Sequence, residues 1–155
     1  MFEQLEFDFD DAGFRALLEK IPRVAAGVLK YTATDLWSNI RREAPTDHGR
    51  LAGSFALSKV GDMAWRIQSG VAYAMAVYSG TGTRGDTSLG ASGRPYDILP
   101  RAKKALYWKG ADHPVKAVYG HPGIKSNPYI DRAEESTKNR LSEFVVKTLR
   151  EAGVS

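Results

Sequence analysis

The chain has 155 residues, 43% of them hydrophobic and 26% charged, a composition typical of one folded domain spanning residues 1–155. It contains no cysteine, which excludes disulfide bridges, thiol catalysis and cysteine-bound zinc and fits assembly in a reducing cytoplasm. No apolar run approaches the roughly 20 residues that a membrane-spanning helix needs.

The net charge of +4 is unevenly distributed. Residues 1–11 carry five acidic and no basic side chains, so the other 144 residues carry a net charge of +9. An acidic start is unlike a signal or transit peptide. The basic remainder predicts either a nucleic-acid partner or an acidic protein partner, and charge alone leaves both open.

The first third of the chain predicts an acidic strand or arm followed by one long helix. Apolar and acidic residues alternate over 5–10, as in a half-buried strand, and Asp10 or Asp11 suits a helix cap. Apolar residues then recur at helical spacing until Pro45 ends the pattern, and Pro22 predicts a kink or a break. The predicted apolar stripe consists of Phe14, Leu17, Leu18, Ile21, Leu29, Ala33, Leu36, Trp37 and Ile40.

The middle of the chain predicts antiparallel strands. A hairpin is expected at 55–60 and 63–69 with its turn at Gly61-Asp62, and Met63, Trp65 and Ile67 are expected on one face. The further predicted elements are a short buried helix at 73–78, an edge strand at 98–100, and a strand pair at 105–108 and 115–119.

Residues 80–95 contain five glycines and almost no large apolar side chain, which predicts a long flexible or functional loop. The first six residues of this loop match the letters G-x-G-x-x-G. A dinucleotide site needs that turn between a strand and a helix. Here the glycines lead into more loop, so the sequence favours a flexible loop over a nucleotide site.

The last part of the chain predicts a turn followed by a helix. Pro122 and Gly123 suit the two central positions of a turn. We expect one helix over 127–152, with Asn127 as its N-cap and Pro128 at its first position, ending before Gly153. Its predicted apolar face consists of Ile130, Ala133, Thr137, Leu141, Phe144, Val145 and Thr148.

These elements together predict an α+β domain. We expect a long N-terminal helix, a central antiparallel sheet of about four to six strands, and a C-terminal helix packed on that sheet.

Three short segments carry the most specific pattern: Ala44 to Ser54, Tyr73-Ala74 leading to Gly80-Thr81, and His121-Pro122-Gly123 leading to Asn127-Pro128-Tyr129. In order and spacing they resemble a tail-component family of tailed bacteriophages, the neck or tail-completion proteins. The similarity covers about residues 5–150, with departures at His48 and at Tyr78-Ser79. The motif residues here are Pro45, Asp47, Gly49, Leu51, Ser54, Tyr73, Gly80, Thr81, His121, Pro122, Gly123, Asn127, Pro128 and Tyr129.

The resemblance implies a structural virion protein that acts at the head–tail junction of a long-tailed phage and is assembled in the cytoplasm of the bacterial host. It implies a ring of identical subunits, with a hexamer as the first expectation, that contacts connector and major tail proteins. It implies no enzymatic activity, no cofactor and no membrane partner.

No set of residues pairs a nucleophile with a base or gathers metal ligands at helical or hairpin spacing. His48, His113 and His121, even with Asp47 and Asp112 beside two of them, lack that spacing. We therefore expect neither a catalytic nor a metal site. Asp47 is expected instead to accept backbone N–H bonds in a turn, with Gly49 supplying an unusual dihedral.

Between residues 94 and 125 the basic side chains exceed the acidic ones by five. They form either a solvated surface or the lining of a channel for duplex DNA, held through phosphates and sensitive to salt. Tyr107, Trp108 and Tyr119 among them are expected in the core or in a subunit interface. The basic residues considered for this channel or for an interface are Arg84, Arg94, Arg101, Lys103, Lys104, Lys109 and Lys116, with Lys125 beside them.

Two other functions remain as alternatives. A small non-enzymatic DNA-binding module would need a recognition helix or an aromatic platform with basic residues on one face, whereas the C-terminal helix mixes both charges and suits groove reading poorly. An enzyme such as a nuclease would need carboxylates or a nucleophile–base pair that the sequence does not supply.

Overall fold

A computed structural model describes residues 11–46 and 49–154, and for residues 11–14 and 17 it describes the backbone alone. The described chain is α+β, as predicted, with helix α1 at Asp11–Glu43 as its longest element. Helix α1 is continuous through Pro22. The predicted strand at 5–10 and the cap at Asp10 lie outside the described residues.

The apolar stripe of α1 is buried only along its second half. Ala33 and Ile40 are buried, and Leu36 and Trp37 pack against the core. Leu18 and Ile21 were predicted on the same stripe, but they are 47% and 51% exposed. The predicted stripe is therefore exposed at these two positions. Lys20 Nζ donates to Gly153 O at 3.2 Å, and Gly153 lies just beyond the end of the last helix of the chain. That helix therefore ends at the level of Lys20.

Helix α1 ends where the proline predicts. Pro45 disfavours a helical conformation for the residue before it, and the last backbone bond is Ala44 N to Ile40 O at 2.9 Å. A short helix, α2 at Arg50–Gly53, then leads into the first strand.

The predicted hairpin is confirmed as β1 (Phe55–Gly61) and β2 (Ala64–Ser69), which pair antiparallel with Phe55 opposite Ser69. Gly61 pairs with Ala64, so the turn lies at Asp62-Met63, one residue later than predicted. Met63 therefore belongs to the exposed turn and not to the inner face of Trp65 and Ile67.

The prediction of one central sheet is wrong, because the described chain forms two separate two-stranded sheets. The second pairs β3 (Tyr96–Ile98) with β4 (Val118–His121). The edge strand was thus predicted two residues too late. The strand pair at 105–108 and 115–119 reduces to one bridge, Leu106 with Val115, because β4 takes its partner from β3.

The predicted single C-terminal helix is two helices, α4 at Tyr129–Lys138 and α5 at Leu141–Glu151. The break falls at Asn139-Arg140, where the Arg140 side chain pairs with Asp35 of α1. Both helices pack mainly against α1 and not against a sheet, which corrects the predicted packing. The stop at Gly153 is confirmed, since its φ of +67° and the bond from Val154 N to Leu149 O form a Schellman cap.

The core therefore lies where the C-terminal half of α1 meets α2, the start of β1 and α4. Among the described residues no helix is long and apolar enough to cross a bilayer. Helix α3 at Ala74–Ser79 packs on this core and confirms the predicted short helix, but Met75 is 63% exposed, so the helix is not buried as predicted. The buried core residues are Ile40, Ala44, Leu51, Phe55, Tyr129 and Ala133.

Candidate functional site

The first motif forms the connection from α1 to β1. Gly49 has a φ of +66°, which confirms the predicted left-handed glycine, and its N–H donates to Thr46 O at 3.1 Å. Leu51 is buried in the core. Ser54 Oγ donates to Leu51 O at 2.6 Å and lies 2.8 Å from Ser69 Oγ, so it ties α2 to both strands. Asp47 and His48 lie outside the described residues.

The second motif frames α3 and begins the glycine-rich loop. Tyr73 is the exposed residue before α3, and Gly80 ends the helix with a φ of +71°. Thr81 then bonds residue 124 twice: its N–H donates to Ile124 O at 2.8 Å, and its Oγ1 accepts from Ile124 N at 3.0 Å. These two bonds thus hold the second motif against Ile124, which lies within the third motif.

The third motif interlocks with that loop. Pro122 O accepts from Arg84 N at 3.1 Å and from Thr83 Oγ1 at 3.0 Å. Gly123 has a φ of +91°, and a Cβ placed there would lie 1.8 Å from Thr81 O. Only glycine allows the two backbones to approach this closely. We call residues 80–86 together with 122–127 the backbone joint.

Asn127 and Tyr129 connect the backbone joint to the core. Asn127 N donates to Val77 O at 3.1 Å and to Tyr78 O at 3.2 Å. Pro128, not Asn127, is the residue before α4, and no side chain caps this helix, so the predicted cap is wrong. Asn127 Oδ1 instead accepts from Arg132 Nη2 at 2.8 Å.

Tyr129 lies where the three motifs meet. It is 1% exposed, its ring contacts Phe55 and Tyr78 edge-on, and its hydroxyl donates to Ala74 O at 3.3 Å. Burial raises the pKa of the Tyr129 phenol. The pKa of Tyr78 is also raised, mainly because its hydroxyl donates to Asp131 Oδ1 at 2.7 Å.

The motif histidine takes part in a turn. His121 Nδ1 accepts the N–H of Gly123 at 3.0 Å, and its ring lies beside Tyr96. His113 and Asp112 are both exposed. Within residues 11–46 and 49–154 no three histidine or acidic side chains come together as a metal site.

The G-x-G-x-x-G letters do not form a phosphate-binding turn. They follow α3 and enter a 3-10 turn at Gly82–Arg84. A Cβ on Gly80 or Gly82 would lie 2.6 Å from the backbone of residues 122–126. The chain's own backbone thus occupies the space that a dinucleotide would need over these glycines.

The basic residues lie on the surface, and Arg84 and Lys125 among them fall within the backbone joint. Every one of the predicted DNA-channel or interface residues is exposed. Arg84 lies in the 3-10 turn, Arg94 just before β3, and the rest except Lys125 in 99–117, which has little regular structure. Tyr107, Trp108 and Tyr119 are 68%, 51% and 75% exposed, so they lie outside the core of the chain, and their alternative place in a subunit interface stays a prediction.

Sequence reasoning missed a buried polar network between α1 and the C-terminal helices. Asn39 Nδ2 donates to Thr137 Oγ1 and to Asp35 Oδ2, both at 2.9 Å, and Thr137 Oγ1 donates to Asp35 Oδ2 at 3.0 Å. Arg140 donates to the other oxygen of Asp35. The available signal was the helical spacing of Asp35 and Asn39, which puts two polar residues beside an apolar stripe.

Comparisons with protein families, with curated proteins and with solved structures find no match to this chain.

Proposed function

We propose that this chain is a structural, non-enzymatic subunit of a long-tailed bacteriophage. It acts at the head–tail junction as a neck or tail-completion subunit of the tail-terminator type. The observation that carries the proposal is the backbone joint. Among the described residues that carry the family resemblance, Gly49 serves a turn, Gly123 a close backbone contact and Tyr129 core packing, as expected of residues that hold a scaffold in shape.

The proposed assembly is a closed ring of identical subunits, first expected as a hexamer, between connector and major tail proteins. In such a ring one surface of a subunit meets a different surface of its neighbour. An acidic segment at 1–11 and a basic remainder supply two unlike surfaces on each subunit, which orients the encounter.

Deletion of the gene in the phage that encodes it tests the function. We expect DNA-filled heads and finished tails to accumulate unjoined in electron micrographs of the lysate. Expression of the wild-type chain from a plasmid should restore joined particles. Infectious, joined virions from the deletion mutant would contradict the proposal.

A DNA-binding role is the second candidate, and the exposed aromatic residues among lysines favour it. Tyr107 and Trp108 follow Lys103 and Lys104 closely, and such side chains stack on bases of single strands while lysines bind phosphates. In the ring, the same lysines would line the channel and contact packaged duplex DNA without sequence preference.

Binding assays at low and physiological salt separate these two roles. A Lys103→Glu/Lys104→Glu variant should weaken binding of duplex DNA, whereas Lys30→Glu, an exposed lysine on α1, should not. A Tyr107→Ser/Trp108→Ser variant should weaken binding of single strands alone if stacking contributes. No binding by the assembled protein at low salt would exclude both DNA roles and leave the ring proposal intact.

A further inference from the structure

An open cleft lies beside the backbone joint, between α3 and the glycine-rich loop. Its volume is about 580 Å³. Ala72, Ala76 and Ala91 give it a floor of small side chains, and the larger apolar side chains around it, Met75 and Leu89, are exposed. The cleft is therefore shaped for an apolar side chain from elsewhere.

Three arginines lie close in the chain to residues that line this cleft or the depression beside it. Arg84 follows the lining residue Gly82, Arg94 lies between the lining residues Ser92 and Tyr96, and Arg101 lines the adjoining depression along β3. None of the three forms an ion pair with any residue in 11–46 or 49–154. The three guanidinium groups are thus unpaired within this part of the chain, and with Asp86 and Asp97 in the same stretch the net charge of residues 82–101 is +1.

Residues 1–10 have the complementary chemistry. They carry Phe2, Leu5, Phe7 and Phe9 together with four acidic and no basic side chains. Phenylalanine suits a small-residue cleft, and the carboxylates at alternate positions suit the three arginines.

This segment joins α1 at the end of the helix far from the cleft of its own chain, and its reach is shorter than that helix. The cleft lies at the C-terminal end of α1, because α3 packs on the core around Ile40 and Ala44. From Asp11 to Ile40 a helix extends about 44 Å at 1.5 Å per residue. Phe7, four residues before Asp11, reaches at most about 14 Å, and even Phe2 reaches only about 32 Å.

We propose that residues 1–10 of one copy dock into the cleft of a neighbouring copy, with phenylalanines in the cleft and carboxylates against Arg84, Arg94 and Arg101. This contact between unlike surfaces is the kind that closes a ring. The inference rests on the self-assembly in the function proposed above and identifies its interface.

Cysteine cross-linking tests the contact directly, because the wild-type chain has no cysteine. A Phe7→Cys protein mixed with an Ala72→Cys protein should form a disulfide-linked pair under mild oxidation. Ala64→Cys, an exposed alanine on β2, is the matched control and should cross-link several-fold less. Equal cross-linking to both positions, or none to Ala72→Cys, would overturn the docking. So would a disulfide within one chain of the double variant at high dilution.

Charge exchange tests the three arginines. In native mass spectrometry, Arg84→Glu/Arg94→Glu/Arg101→Glu should reduce the assembled fraction at least tenfold, and Glu6→Lys/Asp8→Lys in the same chain should restore much of it. Arg66→Glu, an exposed arginine on β2, should leave assembly unchanged. Rings that form normally without residues 1–10 would overturn the docking alone. A wild-type chain that stays monomeric at every concentration would overturn the proposed ring and the docking together.

Discussion

The two halves of this molecule are held together by different means. In the helical half, α1 packs against α4 and α5 through buried side chains such as Ile40, Ala133 and Phe144. In the half that spans 80–127, few side chains are buried, and backbone hydrogen bonds across close glycine contacts hold the chain. Substitutions that add a side chain should therefore harm the second half, and those that remove polar partners should harm the first.

The largest effect within residues 80–127 is expected at Gly123. Gly123→Ala places a Cβ 1.8 Å from Thr81 O at a φ of +91°, so the joint must open. We expect the free energy of unfolding measured by urea titration to fall by at least about 3 kcal/mol. Gly120→Ala is the matched control: its φ is +61°, but nothing lies within 4 Å of the added Cβ. It should cost only about 1–2 kcal/mol. Equal losses of unfolding free energy in the two variants would mean that the close contact between Gly123 and Thr81 contributes nothing to stability.

The next effect is expected at the buried polar network. Thr137→Val removes the hydroxyl between Asn39 and Asp35 and leaves buried polar atoms with fewer partners. We expect a loss of about 1–3 kcal/mol in the same titrations. Thr34→Val on the exposed side of α1, where the hydroxyl bonds only Lys30 O, should change stability by less than about 0.5 kcal/mol.

The alkaline pH dependence of stability should report the two tyrosines of the core. Both pKa values are raised, so the folded state favours the neutral phenols. Their contribution is complete below the unfolded pKa of about 10 and is lost as the pH rises through the higher folded values. The free energy of unfolding should fall more steeply above about pH 10 in wild type than in a Tyr78→Phe/Tyr129→Phe variant. Parallel curves of unfolding free energy against pH in the two proteins would contradict the assignment of this pH dependence to Tyr78 and Tyr129.

The smallest effect on stability is expected from the exposed aromatic residues. Trp108→Ser should change the free energy of unfolding by less than about 0.5 kcal/mol, since half of the side chain is already in solvent. Phe144→Ala in the helical half, where the ring is buried, should cost about 3–5 kcal/mol. A large loss from Trp108→Ser would mean that segment 99–117 packs more tightly than its exposure indicates.

The sequence predicted what local patterns encode. Helical spacing ending at Pro45 gave α1, alternation gave the hairpin, and the left-handed turn at Gly49 followed from glycine chemistry. The prediction failed where a residue far away in the chain determines the local structure. The break between α4 and α5 depends on Arg140 meeting Asp35, which lies 105 residues away in the chain.

The same limit applies to the candidate site. Gly123 could be assigned to a turn, but its contact with Thr81 joins residues more than 40 positions apart and leaves no periodic signal. The strand at 118–121 likewise pairs with the more distant β3 and not with the nearer residues 105–108. Alternation alone therefore predicted a strand pair at 105–108 and 115–119, where the structure forms one bridge between Leu106 and Val115.

The backbone joint holds residues 80–86 against residues 122–127. The chain between these two stretches is therefore not needed as a covalent link. Trypsin cutting after the exposed Lys103 or Lys104 would leave two fragments, one with α1 and β3, the other with β4, α4 and α5. Thr81 would still hold Ile124, β3 would still hold β4, and both C-terminal helices would remain against α1. The nicked protein would migrate as one particle and come apart only in denaturant.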